Sequence, residues 1–257
     1  MIELAQESDG EGPPFVLLHA FPLSRRMWES ERFRWRNGFR VITPDLPGFG
    51  RSPRLPSPSI AGMAEAVWAM LDRLGLREPA VIAGVSMGGY VAFEMLRQQP
   101  ERIKGLGLWS TRATPDTPEQ REGRAKLIKR VEEDGVSILL EASLPKLLSR
   151  ASTFEQPSLV SLATAMIMTS TVEGVTDALR ALADRADSTD LLAAIRCPTP
   201  ILAGEEDALI PVQEARELHA RIPRSKLVIA PRAGHLVNLE RPSVFEPAVD
   251  EFLQLFR

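Results

Sequence analysis

Six short apolar runs, separated by stretches of helical periodicity, constrain the fold more than any other feature of this sequence. The runs are Phe15–His19, Arg40–Pro44, Ala80–Val85, Ile103–Trp109, Thr199–Ala203 and Lys226–Ala230. Each is nearly continuous in β-branched and aliphatic residues and lacks clean alternation, which is the pattern of a strand buried on both faces. Between them, apolar residues recur at helical spacing. In Ile60–Leu74, the residues Met63, Val67, Met70, Leu71 and Leu74 recur in this way, and Gly75 follows as a stop. Tyr90–Gln98, Val212–Arg221 and Ser243–Phe256 read the same way. Strand–helix–strand repetition predicts an α/β fold, a mostly parallel sheet flanked by helices.

One stretch departs from this rhythm. Residues 113–188 carry only helical patterns. Thr117-Pro118-Glu119-Gln120 is a capping-box start with proline at the first helical position, and the helix it opens runs to a stop at Gly135. Further helices are expected over Ser137–Leu148, Ser158–Met168 and Val172–Ala186. A helical block between two strands of one sheet is an insertion over one end of that sheet. The expected organisation is a core from 1–112 and 189–257 with a helical cap at 113–188.

With 257 residues, the chain is long enough for one such domain and its insertion. A formal net charge of −3, without a polybasic arm, argues against nucleic acid or anionic membrane as partner. No apolar run approaches the roughly 18 residues that span a bilayer, and the N-terminal segment lacks the basic and apolar regions of a secretory signal. The single cysteine, Cys197, allows no internal disulfide, which fits a reducing cytoplasm, and reads as a small buried apolar residue. No Cys or His spacing points to a metal, and no cofactor is expected.

The chemistry-bearing pattern is Gly84-Val85-Ser86-Met87-Gly88, which follows a predicted strand and precedes a predicted helix. The bare pattern arises by chance in about one chain in ten of this length. Its position between strand and helix is what gives it weight. A sharp turn there exposes a serine hydroxyl, tolerates only small flanking residues, and aims the Met87 N–H, at a helix N-terminus, where an oxyanion would form. A serine hydroxyl needs a base. Of the three histidines, His219 lies on a polar helical face, His19 ends a strand, and His235 occupies a loop just after the last strand. His235 is therefore the candidate base. The base needs a carboxylate to hold its tautomer. Glu205, Glu206 and Asp207 compete for that role, and the short Asp207 suits a fixed bond to imidazole.

Together Leu18-His19-Ala20-Phe21, Asp45-Leu46-Pro47-Gly48-Phe49-Gly50-Arg51-Ser52, Gly84–Gly89, Gly204–Asp207 and Gly234-His235 resemble the α/β-hydrolase superfamily along almost the whole chain. The resemblance implies the order Ser86, Asp207, His235 for nucleophile, acid and base. It also implies Phe21 as the second oxyanion-hole donor beside Met87, with Ala20 where the family usually has glycine. His19 then braces a loop, and Asp45–Ser52 is a structural turn.

A serine at this turn, where related dehalogenases and epoxide hydrolases carry aspartate, implies attack on an acyl carbon. Phe21-Pro22-Leu23-Ser24-Arg25-Arg26-Met27-Trp28, the Ser-Met-Gly-Gly turn and Trp109-Ser110-Thr111-Arg112 further resemble 3-oxoadipate enol-lactone hydrolases and bacterial carboxylesterases. The expected substrate is a small ester or lactone. Phe21, Trp28, Met87, Trp109, Met166 and Met168 are candidates to line an apolar acyl pocket, each with a core position as its alternative. Arg112 is a candidate carboxylate anchor, against the alternative of a guanidinium solvated at the cap entrance. Two other readings stand beside hydrolysis: a cofactor-free haloperoxidase or perhydrolase, and a catalytically idle small-ligand receptor of the same fold.

Overall fold

The computed structural model describes residues 2–257. Seven strands form one sheet: β1 (Gln6–Asp9), β2 (Pro14–Leu18), β3 (Arg40–Pro44), β4 (Ala80–Val85), β5 (Ile103–Trp109), β6 (Thr199–Gly204) and β7 (Ser225–Ala230). Their order is β1-β3-β2-β4-β5-β6-β7. All neighbours run parallel except β1, which pairs antiparallel with β3 at the edge. Six of the strands coincide with the apolar runs to within a residue at each end. The sequence patterns do not reveal β1. Its residues, Gln-Glu-Ser-Asp, are polar, and as an edge strand it needs no apolar signature to pair through its backbone.

Every residue of β2, β4 and β6 is buried. Alternation along each strand divides the core into two layers. Val16, Leu18, Ile82, Leu106 and Leu108 face one side with α2 (Ile60–Arg73) and α3 (Met87–Gln98). Phe15, Leu17, Val81, Val85 and Trp109 face the other with α12 (Pro242–Leu253). Helices on both faces follow from strands with no polar face. The remaining helices of this part are α1 (Glu29–Trp35), α10 (Val212–Arg221) and α11 (Val237–Glu240).

Between β5 and β6 the regular elements are all helical: α4 (Pro118–Asp134), α5 (Leu139–Ala142), α6 (Leu144–Leu147), α7 (Arg150–Glu155), α8 (Pro157–Met168) and α9 (Val172–Ala183). The Thr117 capping box forms as its residues imply, and Gly135 ends α4 with φ 78°. The single helix expected over Ser137–Leu148 is instead broken into a 3-10 turn, α5 and α6. Pro145 accounts for the restart, since it lacks an N–H and its ring clashes with a preceding helical turn. Among the described residues, no single helix is long and apolar enough to cross a membrane.

Candidate active site

Parallel strands bring their carboxyl ends to one edge of the sheet. Ser86 follows β4, Asp207 follows β6, and His235 follows β7. Three strand spacings, roughly 14 Å, separate β4 from β7. The five residues from Ala230 to His235 can span about 16 Å, so the loop after β7 is long enough to reach back.

Ser86 adopts φ 55° and ψ −113°, a conformation costly for any residue with a Cβ. The surroundings hold it there. Its N–H donates to the Trp109 carbonyl at 2.9 Å, and its carbonyl accepts from Gly89 N at 2.9 Å. The Thr111 hydroxyl donates to the same carbonyl at 3.0 Å. The glycines are fixed by close approach. A Cβ on Gly84 would overlap the Gly88 backbone, one on Gly88 the Leu18 carbonyl, and one on Gly89 the Thr111 side chain.

Ser86 is half-buried and lines a cavity of about 330 Å³ together with Phe21, Tyr90, Arg112, Leu147 and Ile210. Met87 begins α3, so its N–H lies at a helix N-terminus. Among the described residues, neither the Phe21 nor the Met87 N–H donates to a backbone acceptor. Phe21 packs edge-on against Phe49 with ring centroids 6.0 Å apart.

His235 and Asp207 are both buried. Nδ1 of His235 lies 2.8 Å from Oδ2 of Asp207. The other oxygen, Oδ1, accepts from Leu209 N at 2.8 Å and Ile210 N at 2.9 Å. A carboxylate partner assigns the proton to Nδ1 and leaves Nε2 as the basic nitrogen. That Nε2 is buried and has no hydrogen-bond partner among the described residues, so it is not bonded to Ser86. Glu205 and Glu206, the competing acids, are exposed.

His19 is completely buried and braces two loops. Its Nε2 accepts from Leu46 N at 2.9 Å, so Nδ1 carries the proton and donates to the Ala20 carbonyl at 3.0 Å. Burial lowers its pKa, which favours the neutral ring that this bonding needs. Asp45 accepts from the Arg25 and Arg51 N–H groups, each at 2.9 Å, and pairs with the Arg25 guanidinium, as a structural turn would.

Several candidates from the sequence lie elsewhere. Trp28 and Trp109 are fully buried and do not line the cavity. They pack with Phe245, whose ring centroid is 4.7 Å from that of Trp109. Their apolar bulk serves the core between the sheet and α12, and not an acyl pocket. The side chains of Met87 and Met166 lie in the core, and Met168 is 46% exposed away from the cavity. Cys197 is only partly buried, and desolvation raises its pKa.

Arg112 does reach the cavity, though neither as a free fork nor as a solvated one. It is 7% exposed, and its Nη2 donates to Asp116 at 2.8 Å and to Gln120 at 2.7 Å. Arg124 and Arg185 converge on the same Asp116 carboxylate. Those guanidiniums pull the Asp116 pKa down against its burial, which acts to raise it. Glu214 lies within coulombic reach of Arg112 and Arg185, so three guanidiniums face two carboxylates and a surplus positive charge remains beside this wall.

Two buried acids carry no mark in the sequence. Glu240 accepts from three backbone N–H groups around His235. Glu31 accepts from Asn238 Nδ2 at 2.9 Å, and burial lifts its pKa to about 7. Both lie on short helices in which burial does not follow apolarity. α1 buries Glu31 while Phe33 is exposed, and α11 buries Asn238 and Glu240, so no local signal shows them to be buried.

A family model described as "alpha/beta hydrolase fold" matches residues 13–242. The chain is 32% identical over 259 residues to the AB hydrolase superfamily protein YisY of Bacillus subtilis, covering 98% of this chain and 95% of that protein. It is 26% identical over 244 residues to 3-oxoadipate enol-lactonase 1 of Acinetobacter baylyi, covering 95% of this chain and 87% of the other. Among solved structures, a thermophilic esterase from Thermogutta terrifontis superposes with a TM-score of 0.96 at 40% identity, covering 99% of this chain and 94% of that one. The strained serine turn between β4 and α3, the order of the sheet and these likenesses agree: the chain belongs to the α/β-hydrolase family.

Proposed function

We propose that the protein is a serine hydrolase that cleaves a small carboxylic ester or lactone through an acyl-enzyme on Ser86. The observation that carries this reading is the buried Asp207–His235 pair, bonded at 2.8 Å with the basic Nε2 left unpartnered among the described residues. A buried imidazole with no partner on one nitrogen is costly in a purely structural role. It is what a base awaiting a hydroxyl proton requires.

In the proposed cycle Ser86 Oγ bonds to the acyl carbon as His235 Nε2 takes its proton. The N–H groups of Phe21 and Met87 receive the oxyanion. The C–O bond to the alcohol then breaks as His235 returns the proton to the leaving oxygen. In a lactone that alcohol stays attached to the acyl chain. Water, deprotonated by His235, releases the acid and restores Ser86. Asp207 orients the imidazole and stabilises its cation.

Residues 113–188 act as a cap over the sheet edge, consistent with Leu127, Lys146, Leu147 and Leu179 lining the cavity. The surplus charge of the Arg112, Arg124 and Arg185 group attracts substrates that carry a carboxylate, a long-range role that needs no free fork on Arg112. The relatives named enol-lactonase and esterase support ester or lactone chemistry. Nothing in the site favours peroxide over water, and the buried, unpartnered Nε2 of His235 beside Asp207 argues against an idle receptor.

The test is turnover of p-nitrophenyl acetate and of a lactone panel. Ser86→Ala and His235→Ala are expected to lower kcat/KM by about 10³-fold or more, and Asp207→Asn by about 10³- to 10⁴-fold. Glu206→Gln is expected to stay within about threefold, because its charge is exposed. Equal turnover by wild type and the Ser86 and His235 variants would overturn the proposal.

A further inference from the structure

The loop that carries His235 is held by something other than Asp207. Glu240, at the end of α11, is 2% exposed. Its Oε1 accepts from Gly234 N at 2.9 Å and Leu236 N at 3.2 Å, the two residues that flank His235. Its Oε2 accepts from Ser149 N at 2.7 Å, and Ser149 belongs to the helical segment between β5 and β6. The same segment reaches the loop directly, because the Leu147 carbonyl accepts from both His235 N and Leu236 N at 3.2 Å. The fit is tight, since a Cβ on Gly234 would overlap Ser149 N and the Leu148 carbonyl carbon.

One carboxylate therefore joins three backbone donors that belong to two parts of the molecule. A buried carboxylate is tolerated only where donors meet it, so the two parts are held together as one unit. Leu147 adds a functional link. Its side chain lines the cavity that holds Ser86, while its carbonyl fixes the His235 backbone. The wall that a substrate touches is thus one residue from the backbone that aims the base.

We propose that Glu240 is a positioning residue for His235, and that it acts by tying the His235 loop to Leu147–Ser149 of the cavity wall. The proposal rests on the serine-hydrolase reading above. Asp207 fixes the imidazole through its ring, and Glu240 fixes it through the backbone on either side. Misplacement of a base by about 1 Å costs roughly 10²-fold in rate.

The backbone offers a clean test. Ser149 has φ −63°, which proline adopts, and Leu148 has φ −121° and ψ 148°, a conformation allowed before proline. Ser149→Pro deletes the N–H that bonds Glu240, while Ser149→Ala keeps it. Both lose the hydroxyl that caps α7. With p-nitrophenyl acetate, at a temperature where circular dichroism shows both variants folded, Ser149→Pro is expected to show kcat at least about tenfold below Ser149→Ala, with KM values within about threefold and a lower melting temperature for Ser149→Pro. Fluorophosphonate labelling of Ser86 is expected to slow in parallel. Glu240→Gln, which sets an amide donor against N–H donors, is expected to lower kcat by about a hundredfold. Equal kcat for the Ser149 pair, or a loss confined to KM, overturns the positioning role while leaving Ser86 chemistry intact. Wild-type enzyme without Ser86-dependent turnover overturns both proposals.

Discussion

The serine turn and the helical segment over it are stabilised by opposite means. Around Ser86 the backbone is fixed by contact. The strand feeding the turn is buried at every position, and all three glycines of the motif sit where a methyl group would overlap another segment. In α4 only Val131 is buried out of 17 residues. Beyond Val131 and the partly buried Leu127 and Ile128, that helix is held by its capping box and by exposed ion pairs, among them Arg180–Glu132 and Lys126–Glu122. Exposed pairs of that kind contribute little each, commonly under about 1 kcal/mol. A region fixed by steric contact tolerates almost no substitution and holds chemistry in register. A region held by surface charge can change its residues at little cost.

Paired glycine substitutions sharpen this contrast. Gly88→Ala drives a methyl group into the Leu18 carbonyl, where neither backbone can yield. A loss of about 3–5 kcal/mol in urea denaturation is expected, with turnover lost alongside it. Gly123 on α4 has nothing within 4 Å of its would-be Cβ. Gly123→Ala is expected to stabilise by only about 0.5–1 kcal/mol in the same measurement. Changes of the same sign at both sites would break the comparison.

Between those extremes lies a weak point on the sheet side. Glu31 is 3% exposed, and its pKa rises from 4.5 to about 7 because burial penalises the charged form. The folded state then holds a proton that the unfolded state has released. Stability from this group is fullest below pH 4.5 and declines as pH rises through about 7. The total decline is on the order of 3 kcal/mol. Glu31→Gln is expected to flatten that slope and to raise stability at pH 8 by about 1–3 kcal/mol, measured against wild type at pH 5 and pH 8. An unchanged slope would place the titrating group elsewhere.

What can be read from the sequence follows the same division. The central strands are legible because burial on both faces demands unbroken apolar runs such as Ala80–Val85. The serine turn is legible because steric crowding leaves glycine as the only choice. β1 is hidden because an edge strand is satisfied by backbone pairing alone. The Ser137–Leu148 stretch misleads because apolar periodicity continues across Pro145 while the backbone does not. Trp28 and Trp109 suggest a pocket because size and apolarity do not distinguish the inner layer of a core from the lining of a cavity. Arg112 does stand in the cavity wall, but its partners Arg124 and Arg185 come from α4 and from the segment after α9, which no local pattern brings together. Glu240 is illegible for the same reason, since its value lies in three donors that meet only in the folded chain.

The central claim is that Ser86, and no other residue, carries the acyl group. Reaction with a fluorophosphonate followed by peptide mass spectrometry tests it most directly. The expected result is one equivalent of label on the peptide containing Ser86, absent in Ser86→Ala and slowed by about 10³-fold or more in His235→Ala. Label on another residue, or label that survives in Ser86→Ala, would contradict the account.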